Sequence, residues 1–171
     1  MADQELSGRV AVITGAGRSI GRAMQVLSLN APGVEQADVP DQIAISRESN
    51  DFLAEAIKKH PKRFAGLAIL PIAAPDKAAE ELERRIQQGF KGTLINGHTR
   101  GRYLDDKFFS PILERAAALN IPIYLHPTVP PKAVVEAQYG GFSPTVTGVL
   151  AAAGWGWHIE TAVHVIRMHL T

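Results

Sequence analysis

The sequence predicts an α/β fold in which parallel strands alternate with covering helices. Two observations carry that expectation. From Gln25 onward, short apolar runs alternate with longer stretches of helical period, joined by short loops. One of the runs, Ile121–Leu125, is continuous in apolar character apart from its proline, as a strand covered by helices is. Units of this kind give a parallel sheet with right-handed crossovers. The same run ends in His126-Pro127, which sets an imidazole at the C-terminal end of a strand, the edge where such folds place their chemistry. Histidine there is either a metal ligand or proton carrier, or a core residue satisfied by its neighbours.

The bulk numbers narrow the class. The chain has 171 residues, 46% hydrophobic and 20% charged, enough for one globular domain with a real core. Lys and Arg total 18 against 17 acids, a net charge of +1, which argues against a nucleic-acid partner or a basic membrane anchor. No cysteine is present, which excludes disulfides and thiolate metal sites. The opening MADQELSGR is polar, and no apolar run is long enough to span a bilayer, so a cytoplasmic location is expected.

Taken in order, the first element is a strand, Val10–Ile13, followed by Thr14-Gly15-Ala16-Gly17-Arg18-Ser19-Ile20-Gly21. Glycines there let a backbone approach phosphates at a helix N-terminus. The stretch over about 7–23 resembles the cofactor loop of short-chain dehydrogenases, with Ser19 where that pattern has its middle glycine. The resemblance stops near Ala23. Asn30-Ala31-Pro32-Gly33 breaks the chain too soon for the helix and second strand that a dinucleotide site needs. Tyr103 and Lys107 meet the Tyr-x-x-x-Lys spacing only by coincidence, in a polar loop. An NAD(P)-dependent short-chain dehydrogenase, read from this loop, is therefore kept only as an alternative, beside a noncatalytic half-barrel that self-associates.

The body is more regular. QVLSLN reads as a strand, and residues 39–61 as a helix with Pro40 near its start and Asn50-Asp51 as a point of recapping. Phe52, Leu53, Ala56 and Ile57 form its apolar stripe, and Lys58, Lys59 and His60 suit its C-terminus. Phe64–Pro71 is a strand. Residues 74–90 form a helix capped by Asp76, with Ala79, Leu82 and Ile86 inward and Gly89 as its stop. Strand KGTLINGH and a helix over about 108–119 lead to the His126 strand. Residues 128–146, rich in Pro-Pro and Gly-Gly, are expected to be a long loop over the rim. The chain ends in a helix preceded by Trp155 and Trp157.

Asn96-Gly97-His98 and His126 both fall at strand C-terminal ends, hence on one rim. His98 is either a binding residue or a loop residue bonded to its own turn. Glu160 and His164 lie four apart on one helix face and read as a surface or interface pair rather than a metal site, since no third ligand accompanies them.

From about Gln25 to His169 the sequence resembles the amidohydrolase-related family that includes aminocarboxymuconate-semialdehyde and γ-resorcylate decarboxylases. NDFLAEAIKKHPKRFAGLAILP, GFKGTLINGHTRGRYLDD, FFSPILERAAALNIPIYLHP and GWHIETAVHVIRM carry the likeness, in the family's order. The resemblance implies a (β/α)8 barrel with one divalent metal, usually zinc, and a hydrolase or decarboxylase acting on a small carboxylated, aromatic substrate. It implies that His126 is a metal ligand, and that Asn96, His98, Phe142 and Trp157 lie on the substrate side. Two family features have no counterpart here: an acid-x-His pair, whose place is taken by AVITGAG, and a later GHMGE strand with a metal-binding aspartate. The expectation is thus a partial barrel, truncated at both ends, over 24–171, behind an incomplete dehydrogenase-like segment over 1–23. Activity of such a chain is expected to be weak or absent. A homo-oligomer is expected, because an open half-barrel leaves strand edges unpaired.

Overall fold

The computed structural model describes residues 25–31, 33–35 and 37–171. The glycine-rich loop expected over 9–21 lies outside them. Four strands, β1 (Gln25–Leu27), β2 (Phe64–Ala68), β3 (Gly92–Asn96) and β4 (Ile123–His126), pair in parallel in sequential order. Helices α1 (Val39–Lys59), α2 (Pro75–Gln87) and α3 (Ser110–Ala118) fill the crossovers, the last preceded by a 3-10 turn, Lys107–Phe109. Sequential parallel order with helices between is half of a (β/α)8 barrel. Among the described residues β1 and β4 each have a strand neighbour on one side only.

The core lies between the sheet and its helices. Ala68 and Ile95 from the strands meet Ala78 and Leu82 of α2 and Ile112 and Ala116 of α3, all at most 4% exposed. Gly89, with φ +93, ends α2 as expected, and Asn120, with φ +51, turns the chain after α3 in the left-handed cap conformation. Asp76 is not the cap of α2. The helix opens on Pro75 with Ala74 before it, and Asp76 sits in the first turn, where its charge suits the helix N-terminus.

Helix α1 departs from its expected stripe. It runs unbroken through Asn50-Asp51, and Phe52 is half-exposed while Leu53 and Ile57 pack on the core. Its fully buried residues are polar: Gln42, Ser46 and Asn50. Asn50 explains why a polar side chain is tolerated there. Its Oδ1 accepts the Ile69 N–H at 2.9 Å and its Nδ2 donates to Ile69 O at 2.8 Å, completing the backbone pairing just past β2. The same Nδ2 donates to Glu81 Oε1 at 2.8 Å, and that carboxylate also takes Arg85 Nε at 2.7 Å. Arg85 is fully buried and pairs in turn with Asp51.

Residues 128–146 are not a long loop. They hold α4 (Lys132–Tyr139) and the start of α5 (Pro144–Val149). The prolines that suggested a loop occupy helix starts, where a missing N–H costs nothing. Ser143 caps α5 by accepting the Val146 N–H. A π-type turn, Leu150–Gly154, kinks at Ala152 and leads into α6 (Gly156–Leu170), so Trp157 lies in the first turn of that helix and not before it. No described helix is long and apolar enough to cross a membrane.

Candidate functional site

Strand pleating decides what faces where. Ile95, with Ile123 and Leu125 of β4, packs into the helix-covered core. Successive side chains point to opposite faces of a sheet, so Leu94 and Asn96, and Tyr124 and His126, face the concave side. Asn96 and His126 end their strands and are direct partners in the β3–β4 ladder. They therefore stand side by side on the C-terminal rim, about 4.8 Å apart along the backbone. Asn96 is 4% exposed and His126 9%.

The ring of His126 has a defined hydrogen. Nδ1 lies 2.7 Å from Pro127 O, and a carbonyl only accepts, so Nδ1 carries the proton. In the neutral form of the ring Nε2 then has the lone pair, the form needed to hold a metal or take a proton. Trp157 of α6 sets its ring edgewise against the imidazole, with centroids 6.2 Å apart. Its indole N–H is buried and has no partner among the described residues.

Asn96 meets a residue that sequence pattern did not single out. Glu35, in the turn after β1, accepts the Asn96 backbone N–H at 3.3 Å and its Nδ2 at 3.0 Å. Burial pushes the Glu35 carboxyl above the usual range, partly opposed by these hydrogen bonds. A lone glutamate inside VEQADVP carries no periodic signal, because its partner lies sixty residues away.

His98 has both ring nitrogens engaged. Nδ1 accepts the Gly101 N–H at 3.0 Å, so Nε2 carries the hydrogen and donates to Val129 O at 3.1 Å. It braces the loop after β3 against the loop after β4. Phe142 is 57% exposed in the turn between α4 and α5. The described contacts bring Asn96, Glu35, His126 and Trp157 together, and Phe142 is not tied to them.

Glu160 and His164 are not a surface pair. They are 4% and 0% exposed and form the inner face of α6. His164 Nε2 accepts the Leu104 N–H. Tyr103 lies edge-on to His164, centroids 5.0 Å apart, with the Arg167 guanidinium over its ring and Glu160 nearby. Burial first, and the Glu160 carboxylate second, push the Tyr103 phenol well above its ordinary range. A phenol so held neutral, packed between side chains, is a structural group and not the ionised tyrosine of a dehydrogenase.

Among the described residues no three His, Cys, Asp or Glu side chains converge to hold a metal ion. A catalytic metal site takes three protein ligands as a rule. His126 alone does not meet that requirement, so the described residues do not fit a complete metal centre.

The family model described as Amidohydrolase matches residues 22–171. The gamma-resorcylate decarboxylase of Polaromonas sp. is 38% identical over 156 residues, covering 86% of this chain and 46% of that protein. The solved structure of 2,6-dihydroxybenzoate decarboxylase from Rhizobium superposes with a TM-score of 0.76 at 36% identity, over 85% of this chain and 46% of that one. A structure of 5-carboxyvanillate decarboxylase from Novosphingobium aromaticivorans, complexed with manganese and 4-hydroxy-3-methoxy-5-nitrobenzoic acid, gives a TM-score of 0.78 at 32% identity. It covers 90% of this chain and 44% of that one. The chain spans less than half the length of each of these proteins. The comparisons lend no support to a dehydrogenase start. The ion bound in the third protein is divalent but is not zinc.

Proposed function

The chain belongs to the amidohydrolase family, and from that premise we propose that its concave rim binds a small hydroxylated aromatic carboxylate and serves non-oxidative decarboxylation. The observation that carries this reading is the pairing of Asn96 with His126 at adjoining strand ends, beside the indole of Trp157. In decarboxylation the bond from ring to carboxylate breaks, carbon dioxide leaves, and the electron pair left on the ring carbon takes a proton. Trp157 offers a buried N–H with no partner among the described residues, a donor suited to one end of an anionic carboxylate, and the Nε2 of His126 points away from its own Nδ1 contact with Pro127. Asn96 and His98 are assigned to the substrate side, His98 by holding the loops that frame the rim, and Phe142 to the outer wall. A divalent ion, if further ligands joined His126, would supply positive charge to an anionic substrate, and His126 is the one described residue assigned to hold it. Residues 24–171 are assigned to one unit, in the cytoplasm.

Titrating the purified chain with 2,6-dihydroxybenzoate by calorimetry, and following resorcinol by chromatography, tests the reading. Saturable binding is expected, weakened at least about tenfold by His126→Ala, the equivalent of ~1.4 kcal/mol. A wild-type chain that neither binds the acid nor forms resorcinol would sink it.

A second reading, self-association, is favoured by one observation. Val165, Ile166 and Leu170 on α6 are 52–77% exposed, and Val165 borders a cleft with Ile123 and Leu125 of β4. Pro127, Trp157, Thr161, Val165 and Ile166 line an apolar groove of about 500 Å³ there. An apolar face beside an unpaired strand is a contact for another chain.

A further inference from the structure

The two ends of the row of helices differ from its middle. Among the described residues, Ile45 and Phe52 on α1 and Val163, Val165, Ile166 and Leu170 on α6 are 41–77% exposed, whereas α2 and α3 between them show no large apolar side chain to that degree. A helix inside a (β/α)8 ring has a neighbour on each flank, and α1 and α6 stand at the two places where the described ring is open. The exposed positions are not scattered. Ile45, Ser49, Phe52 and Ala56 recur at helical spacing along α1, on the flank away from Asp51, which pairs with Arg85 of α2. On α6, Thr161, Ala162, Val165 and Ile166 border the groove that reaches Pro127, and Val165 also borders a cleft of about 300 Å³ with Ile123 and Leu125. Neither line of residues holds an Asp, Glu, Lys or Arg, as at the centre of a protein interface. Beside each flank runs a strand edge, since among the described residues β1 has only β2 next to it and β4 only β3.

Symmetry chooses the occupant. The described chain contributes four parallel strands with a helix after each, half of an eight-membered ring. Half a ring turns through half a circle. A second copy rotated by that angle sets its β1 and α1 against β4 and α6 of the first, and its β4 and α6 against β1 and α1. One head-to-tail contact, made twice, then closes the ring and covers both openings. A partner of other sequence would have to match two different surfaces. The meeting helices are 21 and 15 residues long, sufficient for the roughly 20–30 residues a side that a stable interface uses. We propose that two copies of this chain close a barrel of eight parallel strands, β4 of each pairing with β1 of the other, so that both copies turn His126 to one shared rim. The closure rests on the self-association reading above and adds which surface of the second copy meets which. A dimer joined α6 to α6 would leave the β1 and α1 side open.

The chain contains no cysteine, so introduced thiols report contacts without interference. Ile45→Cys and Val165→Cys are prepared as separate full-length proteins, mixed as dilute monomers, concentrated and treated with a short bis-maleimide. Cross-linked dimer is expected in the mixture and in neither protein alone, because only unlike flanks meet. Ala56→Cys with His169→Cys gives a second pair further along the same flanks and serves where the first does not fold, as judged by circular dichroism. In sedimentation the wild-type mass is expected to double with concentration and to go no further. Cross-linking of Val165→Cys to itself, or a wild-type dimer in which both mixed pairs stay unlinked, would overturn the closure and leave self-association standing. Assemblies larger than the dimer would overturn it too, since the ring would not have closed. A wild-type monomer at every concentration would overturn both, the openings then being covered by something other than a second copy.

Discussion

His164 Nε2 accepts the backbone N–H of Leu104 at 2.9 Å, fastening α6 to the loop that leaves β3. The residues on either side of Leu104 are held by the same helix. Tyr103 packs against the His164 ring, and Asp105 forms a two-pronged pair with Arg167 at 2.7 and 2.9 Å. Three consecutive loop residues are thus held by one face of α6.

That bond requires a neutral imidazole, and burial pushes the His164 pKa down to about 4. The carboxylate of Asp105 opposes this, while His98 and Arg167 add to it; Glu160, also buried, lies one turn earlier on α6. Because the folded pKa lies below the unfolded value of about 6.5, the contribution is complete above pH 6.5 and is lost as pH falls towards 4. His164→Ala is expected to cost about 2–4 kcal/mol at pH 7 through a stranded N–H and a cavity. Urea unfolding of both proteins from pH 8 to 4 should show the gap narrowing on acidification. A gap independent of pH would refute the assignment.

Arg85 is fully buried between Glu81 and Asp51. Burial raises the Glu81 carboxyl, but hydrogen bonds from Arg84, Arg85 and Asn50 outweigh it and hold the group below its usual range. Arg85→Met removes one of two guanidiniums from that carboxylate, which keeps Arg84 at 2.7 and 2.8 Å and Asn50 at 2.8 Å, and is expected to lose about 1–3 kcal/mol in guanidinium denaturation. Adding Arg84→Met, which leaves Glu81 without a cation, should raise the loss to about 3–5 kcal/mol. An unchanged loss would mean that packing, not charge, sets the cost.

Two glycines at positive φ make a matched pair. Gly33→Ala drives a methyl into the Glu35 carboxyl, whereas at Gly101, φ +81, an added Cβ meets nothing within 4 Å. Gly101→Ala is expected to cost about 1 kcal/mol from backbone conformation alone. Gly33→Ala should cost clearly more in thermal melts and disturb the Asn96 amide resonances. Equal costs would show that the carboxyl yields freely.

The exposed face of α6 tests the second reading. Ile166→Lys together with Val165→Glu is expected to leave the helical signal intact and to reduce concentration-dependent association in sedimentation experiments. Loss of association requires that the wild type self-associates, so a wild-type monomer at every concentration ends that reading directly.

Much of the fold is legible along the chain. Alternating apolar runs and helical periods give the parallel βα order and place His126 and Asn96 at strand ends, because pleat and period are local. Residues 128–146 mislead, since Pro-Pro and Ser-Pro mark helix starts as readily as loops and only packing chooses between them. Asn50 misleads in the same way: as text it is a capping residue, yet its amide serves the Ile69 backbone across the core.

By itself, then, the sequence determined the βα order, the βα family likeness and the imidazole at the end of β4, all of which follow from neighbours a few residues apart. Tertiary structure alone decided that Glu35 grips Asn96, that His164 is an inward acceptor, and that Arg85 is a buried ion. Each depends on a partner some thirty to sixty residues distant, and hydrogen bonds over such separations follow the chain's path in space, which no local pattern of residue types records.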